Sequence, residues 1–114
     1  MTFTESIKLC FSKYADFDGR AKRPEYWWFF LFCFLLGVAT GIVSEVLNII
    51  ATLAISLPCY AAGARRLHDT NRSGWWQLLW IIPIIGWIVV IMFLAEEGES
   101  TDNRFGAVPT DALE

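Results

Sequence analysis

The stretch WWFFLFCFLLGVATGIVSEVLNIIATLAISLPCYAA, residues 27–62, carries a single charged side chain, Glu45. A helix on the surface of a soluble protein shows polar residues at every turn of its outer face, and this stretch does not. Wound as one helix, Tyr26–Ala64 would be about 58 Å long, nearly twice the roughly 30 Å of a hydrocarbon core. The chain must therefore reverse. Gly41, Ser44, Glu45 and Asn48 are the residues able to end one helix and cap the next. Two apolar runs result, Tyr26–Val43 and Val46–Ala64, and a third follows at Gly74–Leu94. Each is about 18 to 21 residues, or roughly 27–32 Å as helix, enough to span a bilayer core. The predicted fold is an all-α helical integral membrane protein with three transmembrane helices. A re-entrant second segment, interrupted near Pro58, is the alternative.

At 114 residues the chain has room for one domain. An apolar content of 55% excludes a disordered chain, and a net charge of −3 excludes bulk attraction to nucleic acid. Cys10, Cys33 and Cys59 are far apart and odd in number, so neither a disulfide framework nor a metal site is expected. No cofactor is expected either. A signal peptide is not expected, because no apolar core with a small-residue cleavage site occupies the first 25 residues.

The charges are segregated. Lys8, Lys13, Arg20, Lys22 and Arg23 precede the first run, and Arg65, Arg66 and Arg72 lie between the second and third. The positive-inside rule places both groups in the cytoplasm. Three spans then put the C-terminal tail in the periplasm, with its acids Glu96, Glu97, Glu99, Asp102, Asp111 and Glu114. Tyr26-Trp27-Trp28 and Trp75-Trp76 open the first and third runs on the cytoplasmic side, as an aromatic belt would. Before them, Phe3, Ile7, Cys10 or Phe11, and Tyr14 recur at helical spacing. That spacing predicts an amphipathic interfacial helix over 3–15, followed by a charged turn from Asp16 to Pro24.

Three stretches in this order, FDGRAKRPEYWWFFLF (17–32), ARRLHDTNRSGWW (64–76) with IPIIG (82–86), and DNRFG (102–106), resemble the domain-of-unknown-function family 805 of small bacterial inner-membrane proteins. The middle motif carries the resemblance through Arg65, Arg66, Leu67, His68, Asp69, Gly74, Trp75 and Trp76. Asp102 departs from the glycine usual before the asparagine. The resemblance implies an inner-membrane location and no established activity.

The polar residues admit three readings. If the second helix continues past Ala64, Arg65, Asp69 and Arg72 share a face, and with Arg66 they can satisfy one another while the arginine stems snorkel. Alternatively Arg20, Arg23, Arg65, Arg66, His68, Asp69, Arg72, Trp75 and Trp76 form a collar that binds an anionic phospholipid or a protein partner, since guanidinium donors suit phosphate oxygens. Catalysis is disfavoured. His68 and Asp69 are adjacent, so in a helix they point about 100° apart and form no dyad. Ser73 suits local backbone bonding in a turn better than nucleophilic attack. Inside the membrane, Gly37 and Gly41 permit close helix contact, and Asn48, Thr52 and Ser56 recur on one face as interhelical hydrogen-bonding groups. The function expected is that of a non-enzymatic membrane protein acting through the collar. A small oligomeric transporter or channel subunit, or a lipid-headgroup enzyme, are the alternatives. Expected partners are the bilayer, anionic phospholipid, and a second copy or another membrane protein.

Overall fold

The computed structural model describes residues 2–107. It contains helices α1 (Phe3–Ser12), α2 (Arg23–Val43), α3 (Glu45–Asp69) and α4 (Ile85–Ala95), with a 3-10 arm at Gly74–Ile81 between α3 and α4. No strand occurs among the described residues.

The first reversal is made by one residue. Ser44 ends α2, its amide bonding the Thr40 carbonyl at 2.9 Å, and starts α3, its hydroxyl accepting from the Leu47 amide at 3.3 Å. Helices α2 and α3 then run side by side, and both are long and apolar enough to cross a membrane. Asn48 ties them: its Nδ2 donates to the Gly37 carbonyl at 2.8 Å and to the Thr40 hydroxyl at 3.1 Å. Pro58 removes one donor from α3 and orphans the Ala54 carbonyl. The Tyr14 hydroxyl donates to that carbonyl instead, so α3 runs unbroken and the re-entrant reading near Pro58 is corrected.

Helix α3 continues past Ala64 to Asp69, where a Schellman motif stops it. Asn71 takes φ 61, its amide bonds the His68 carbonyl, and the Arg72 amide bonds the Leu67 carbonyl, each at 2.9 Å. Arg72 therefore lies outside the helix, and the expected face of Arg65, Asp69 and Arg72 does not form.

The third apolar run departs most from expectation. Residues 74–94 are not one helix, and the reason lies in Pro83 and Gly86. The 3-10 arm ends at Ile81, because Pro83 offers no amide to continue it. Ile84 adopts φ 66 and ψ −72 while the Ile85 amide bonds the Pro83 carbonyl at 2.8 Å, a γ-turn that sends α4 back. The two arms approach so closely that a Cβ on Gly86 would overlap the Leu79 carbonyl. Trp87 Nε1 closes the hairpin on the Trp80 carbonyl at 2.9 Å. Trp76 and Trp80 thus lie on the 3-10 arm and Trp87 on α4. Each arm is about 16 Å long, half of a hydrocarbon core.

Both ends of this hairpin lie at the arginine end of α3. Gly74 abuts Ala64 and His68, and the Leu94 carbonyl accepts from Trp27 Nε1 at 3.3 Å and Arg66 Nε at 2.8 Å. The tail from Glu96 onward thus starts beside the basic segments, not at the opposite end of the molecule as three spans would require. Asp111 and Glu114 lie outside the described residues.

Helix α1 opens with a capping box between Thr2 and Glu5 and stops at Ser12. It lies across α2. Its two ends, Phe3 and Phe11, both meet Phe32, at 6.4 and 5.9 Å between ring centroids. Its middle meets the start of α2, where the Ser6 hydroxyl donates to the Glu25 carbonyl at 2.5 Å. Pro24 sits in the first turn of α2, where an amide would be unsatisfied anyway, so α2 begins at Arg23 and brings Glu25 into the helix.

Two outcomes follow. With Cys10, Cys33 and Cys59 replaced by alanine, Ser100→Cys is expected to react with an impermeant maleimide from the same membrane face as Lys22→Cys; reaction from opposite faces would restore a third full span. Gly86→Ala is expected to lower stability by about 1–3 kcal/mol, read as the thermal midpoint in detergent, because backbone rather than a flexible side chain must give way.

Candidate functional site

The last nine residues of α3, 61–69, are all buried. Ala61, Ala62, Gly63 and Ala64 are small enough for neighbours to close over them, and the charged residues that follow are enclosed as a result. Arg65 Nη1 meets Glu25 Oε2 at 2.5 Å, with both side chains fully buried. Asp69 bridges two guanidinium groups, Arg20 Nε at 2.9 Å and Arg66 Nη1 at 3.0 Å. Burying an ion costs several kcal/mol unless partners satisfy it, and here backbone carbonyls complete the set. Arg20 donates to the carbonyls of Glu99 at 2.6 Å and Thr101 at 2.8 Å. Arg66 donates to those of Leu94, Ala21 and Glu96.

The acceptors come from two distant segments, the turn before α2 and the tail after α4. The Ala21 amide bonds the Arg65 carbonyl at 2.9 Å, and the Glu99 amide bonds the Asp69 carbonyl at 2.8 Å. The tail passes Asp69 at Gly98, where a Cβ would overlap the carboxylate. The network is a latch between chain ends.

His68 belongs to the same latch. Its Nδ1 lies 2.9 Å from the Gly19 carbonyl, which can only accept, so Nδ1 carries a proton. Nε2 faces Gly74. The ring stacks on Phe105 at 3.9 Å with planes 2° apart. Asn103 Nδ2 donates to the His68 carbonyl at 2.9 Å, and Asn103 Oδ1 accepts from the Phe105 amide at 2.9 Å, forming the turn that presents Phe105. The DNRFG motif is thereby explained as the part of the tail shaped to fit His68.

The expected collar residues separate into two groups. Arg20, Arg65, Arg66, His68 and Asp69 turn inward, which corrects the picture of arginines snorkelling to the surface: Arg20 and Arg66 donate to Asp69 and to backbone carbonyls, while Arg65 holds Glu25 through Nη1 and keeps Nε and Nη2 buried without a hydrogen-bond partner among the described residues. Arg23 and Arg72 are half-buried at the rim, while Trp75 and Trp76 are exposed. Arg72 makes a two-point pair with Glu96, at 2.7 and 3.2 Å, and lies 4.1 Å over the Phe93 ring. Trp76 meets the same ring edge-on at 5.6 Å. Between α3 and the 3-10 arm, beside the rim, opens a cleft of about 540 Å³. Tyr60, Trp75, Leu78 and Trp80 form apolar walls, His68 and Ser73 mark a polar end, and the Gln77 amide lies between, donating to the Tyr60 carbonyl.

Of the expected interhelical stripe only Asn48 reaches across. Thr52 is exposed, and the Ser56 hydroxyl returns to the Leu53 carbonyl of its own helix. A Cβ on Gly41 would touch Asn48, whereas Gly37 faces open space and contributes its carbonyl. Sequence reasoning passed over Glu25 and Glu96, the carboxylates that partner Arg65 and Arg72. A carboxylate one residue after Pro24, at the mouth of an apolar run, was the available sign for Glu25. Cys10 packs beside Glu25 and Arg65, and burial pushes its thiol up to about 12. No group of three or more metal-ligating side chains occurs among the described residues. His68 and Asp69 take different partners, as their adjacency in a helix requires.

Asp69→Ala leaves two buried guanidinium groups without their shared carboxylate and is expected to cost about 3–5 kcal/mol. Arg72→Ala removes a solvent-exposed pair and is expected to cost no more than about 1 kcal/mol. Chemical unfolding in detergent checks both, and equal losses would deny the network its structural role.

The chain matches the model of the family described as "Protein of unknown function (DUF805)" over residues 14–107. It is 42% identical over 107 residues to the inner membrane protein YhaH of Escherichia coli (strain K12), covering 84% of this chain and 88% of that one. It is also 42% identical over 103 residues to the inner membrane protein YhaI of the same strain, covering 84% of this chain and 87% of that one. No solved structure matches the chain significantly. The matched region contains α2, α3, the hairpin and the latch, and the chain belongs to the DUF805 family, membrane proteins of unknown function.

Proposed function

We propose that this chain is a non-catalytic inner-membrane protein that binds an anionic phospholipid at the rim of its collar, one acyl chain lying in the cleft between α3 and the 3-10 arm. The observation that carries the reading is the cleft itself, which combines apolar aromatic walls with a polar end at His68 and Ser73. A site of this shape takes a molecule with a long apolar part and a small polar head. Arg72 precedes Ser73 and supplies a cation next to that polar end. Its pair with Glu96 is exposed and weak enough for a phosphate to displace. Arg20, Arg65 and Arg66 take no part, being committed to the latch.

Orientation follows from the same charges. At the Ser44 end Glu45 is the only charge in residues 26–64, while all nine cations of the chain lie outside those residues. The positive-inside rule then favours the collar in the cytoplasm, and the hydrogen bonds that join residues 96–106 to that end support the same side for them.

The test uses nanodiscs carrying a phosphatidylglycerol with a photoreactive group on its acyl chain. Crosslinks are expected on the cleft-lining residues, several-fold fewer with Leu78→Trp, which fills the cleft from an exposed position. Arg72→Ala is expected to erase the preference for phosphatidylglycerol over phosphatidylethanolamine while leaving the thermal midpoint nearly unchanged. Uniform labelling around α2 and α3, unaffected by Leu78→Trp, would refute the site.

A further inference from the structure

The distribution of apolar bulk along α2 and α3 is one-sided. Every ring contact and hydrogen bond from α1 to α2 falls on residues 25–32, as the Phe3, Ser6 and Phe11 contacts show. The hairpin packs on α3 between Tyr60 and His68, through Gln77 Nε2 on the Tyr60 carbonyl and Gly74 against Ala64. Tyr14 reaches the Ala54 carbonyl, and nearer Ser44 the contacts of Asn48 with Gly37 and Thr40 join α2 to α3. Among the described residues, five helical segments therefore occupy the collar half, against two in the other half.

The hairpin is built for hydrocarbon, not for water. Residues 73–95 contain no charged side chain, and Ile81, Ile84 and Ile85 at its tip are exposed by 78%, 66% and 71%. An apolar tip held away from the bundle would be unfavourable in water, at about 25 cal/mol per Å². Backbone groups at that depth are satisfied locally by the 3-10 bonds, the γ-turn and the Trp87 indole, as a bilayer interior demands.

We propose that the protein is a leaflet-asymmetric wedge, binding preferentially to membranes that are convex on the collar side. A helix is about 10–12 Å across, so α1 lying flat with the two hairpin arms adds on the order of 300 Å² to one leaflet and nothing to the other. Excess area in one leaflet is relieved when the membrane bends with that leaflet outermost, and interfacial helices respond to curvature for the same reason. The partner is a lipid surface of defined shape. The proposal rests on membrane insertion and is independent of the lipid site in the cleft.

The experiment reconstitutes the full chain into phosphatidylethanolamine–phosphatidylglycerol vesicles about 30 nm and about 200 nm across, sizes over which interfacial insertion responds to curvature. Protein per lipid is expected to be at least about twofold higher on the small vesicles, with the collar outward as read by protease cleavage of an N-terminal tag. Ile81→Lys with Ile85→Lys places charge at the hairpin tip and is expected to abolish the preference in protein that still inserts through α2 and α3. If that variant fails to insert, the orientation of the wild-type chain decides: collar outward on small vesicles sustains the wedge, and random orientation overturns it. Equal density on both sizes overturns it as well. Arg72→Ala, outside α1 and both hairpin arms, should leave the preference intact, which separates failure of the wedge from failure of the lipid site.

Discussion

The structure depends on one carboxylate. Asp69 sits at the end of α3, buried, and holds Arg20 from the turn before α2 and Arg66 from its own helix. Two cations enclosed together repel one another, and in a low-dielectric setting that repulsion is large. The shared anion makes their burial tolerable, and the freed donors of both guanidiniums then reach backbone carbonyls from 94–101 and from Ala21. The network therefore does more than neutralise charge. It specifies where the tail lies, because only a chain passing over Asp69 can supply those acceptors. Glu25 and Arg65 form a second buried ion pair, one to one, between α2 and α3.

A second constraint is the accounting of backbone groups around proline. Pro58 and Pro83 each deprive a helix of a donor, with different results. At Pro58 the orphaned carbonyl of Ala54 is met by the Tyr14 hydroxyl, and α3 stays whole. At Pro83 the chain reverses, and Ile84 is held at positive φ, a conformation that costs a β-branched residue on the order of 1–3 kcal/mol. The contacts that sustain it are the Gly86–Leu79 approach and the indole of Trp87 on Trp80. A turn strained in this way persists only where its surroundings over-determine it.

These two constraints divide the molecule by role. The buried half of the collar, Arg20, Arg65, Arg66, His68 and Asp69, is committed to architecture. The rim, with Arg72, Trp75, Trp76 and the cleft beside them, lies outside that network. The resemblance motifs fall mainly in the first group, which explains how a chain can carry so specific a signature while revealing no chemistry.

Hydropathy by itself determined that α2 and α3 exist and are long and apolar enough to cross a membrane, since each is a run of apolar residues of bilayer length. The reversal near Ser44 was legible for a similar reason: no helix of 58 Å fits a bilayer. The Arg66–Asp69 pairing was legible as a helical spacing, but continuation past Ala64 stood only as a condition, which the structure meets by running α3 to Asp69. The third run was not. Its length and composition suit a full span, and nothing local distinguishes a span from a hairpin until the 3-10 arm finds α3 and Gly86 finds Leu79. The direction of the arginines was equally hidden, because exposure depends on what covers a residue, and the cover comes from segments up to 86 positions away, as between Arg20 and Gly106. Periodicity and transfer energy act along the chain and can be read there. Burial of charge is settled between segments, and only the tertiary structure decided it.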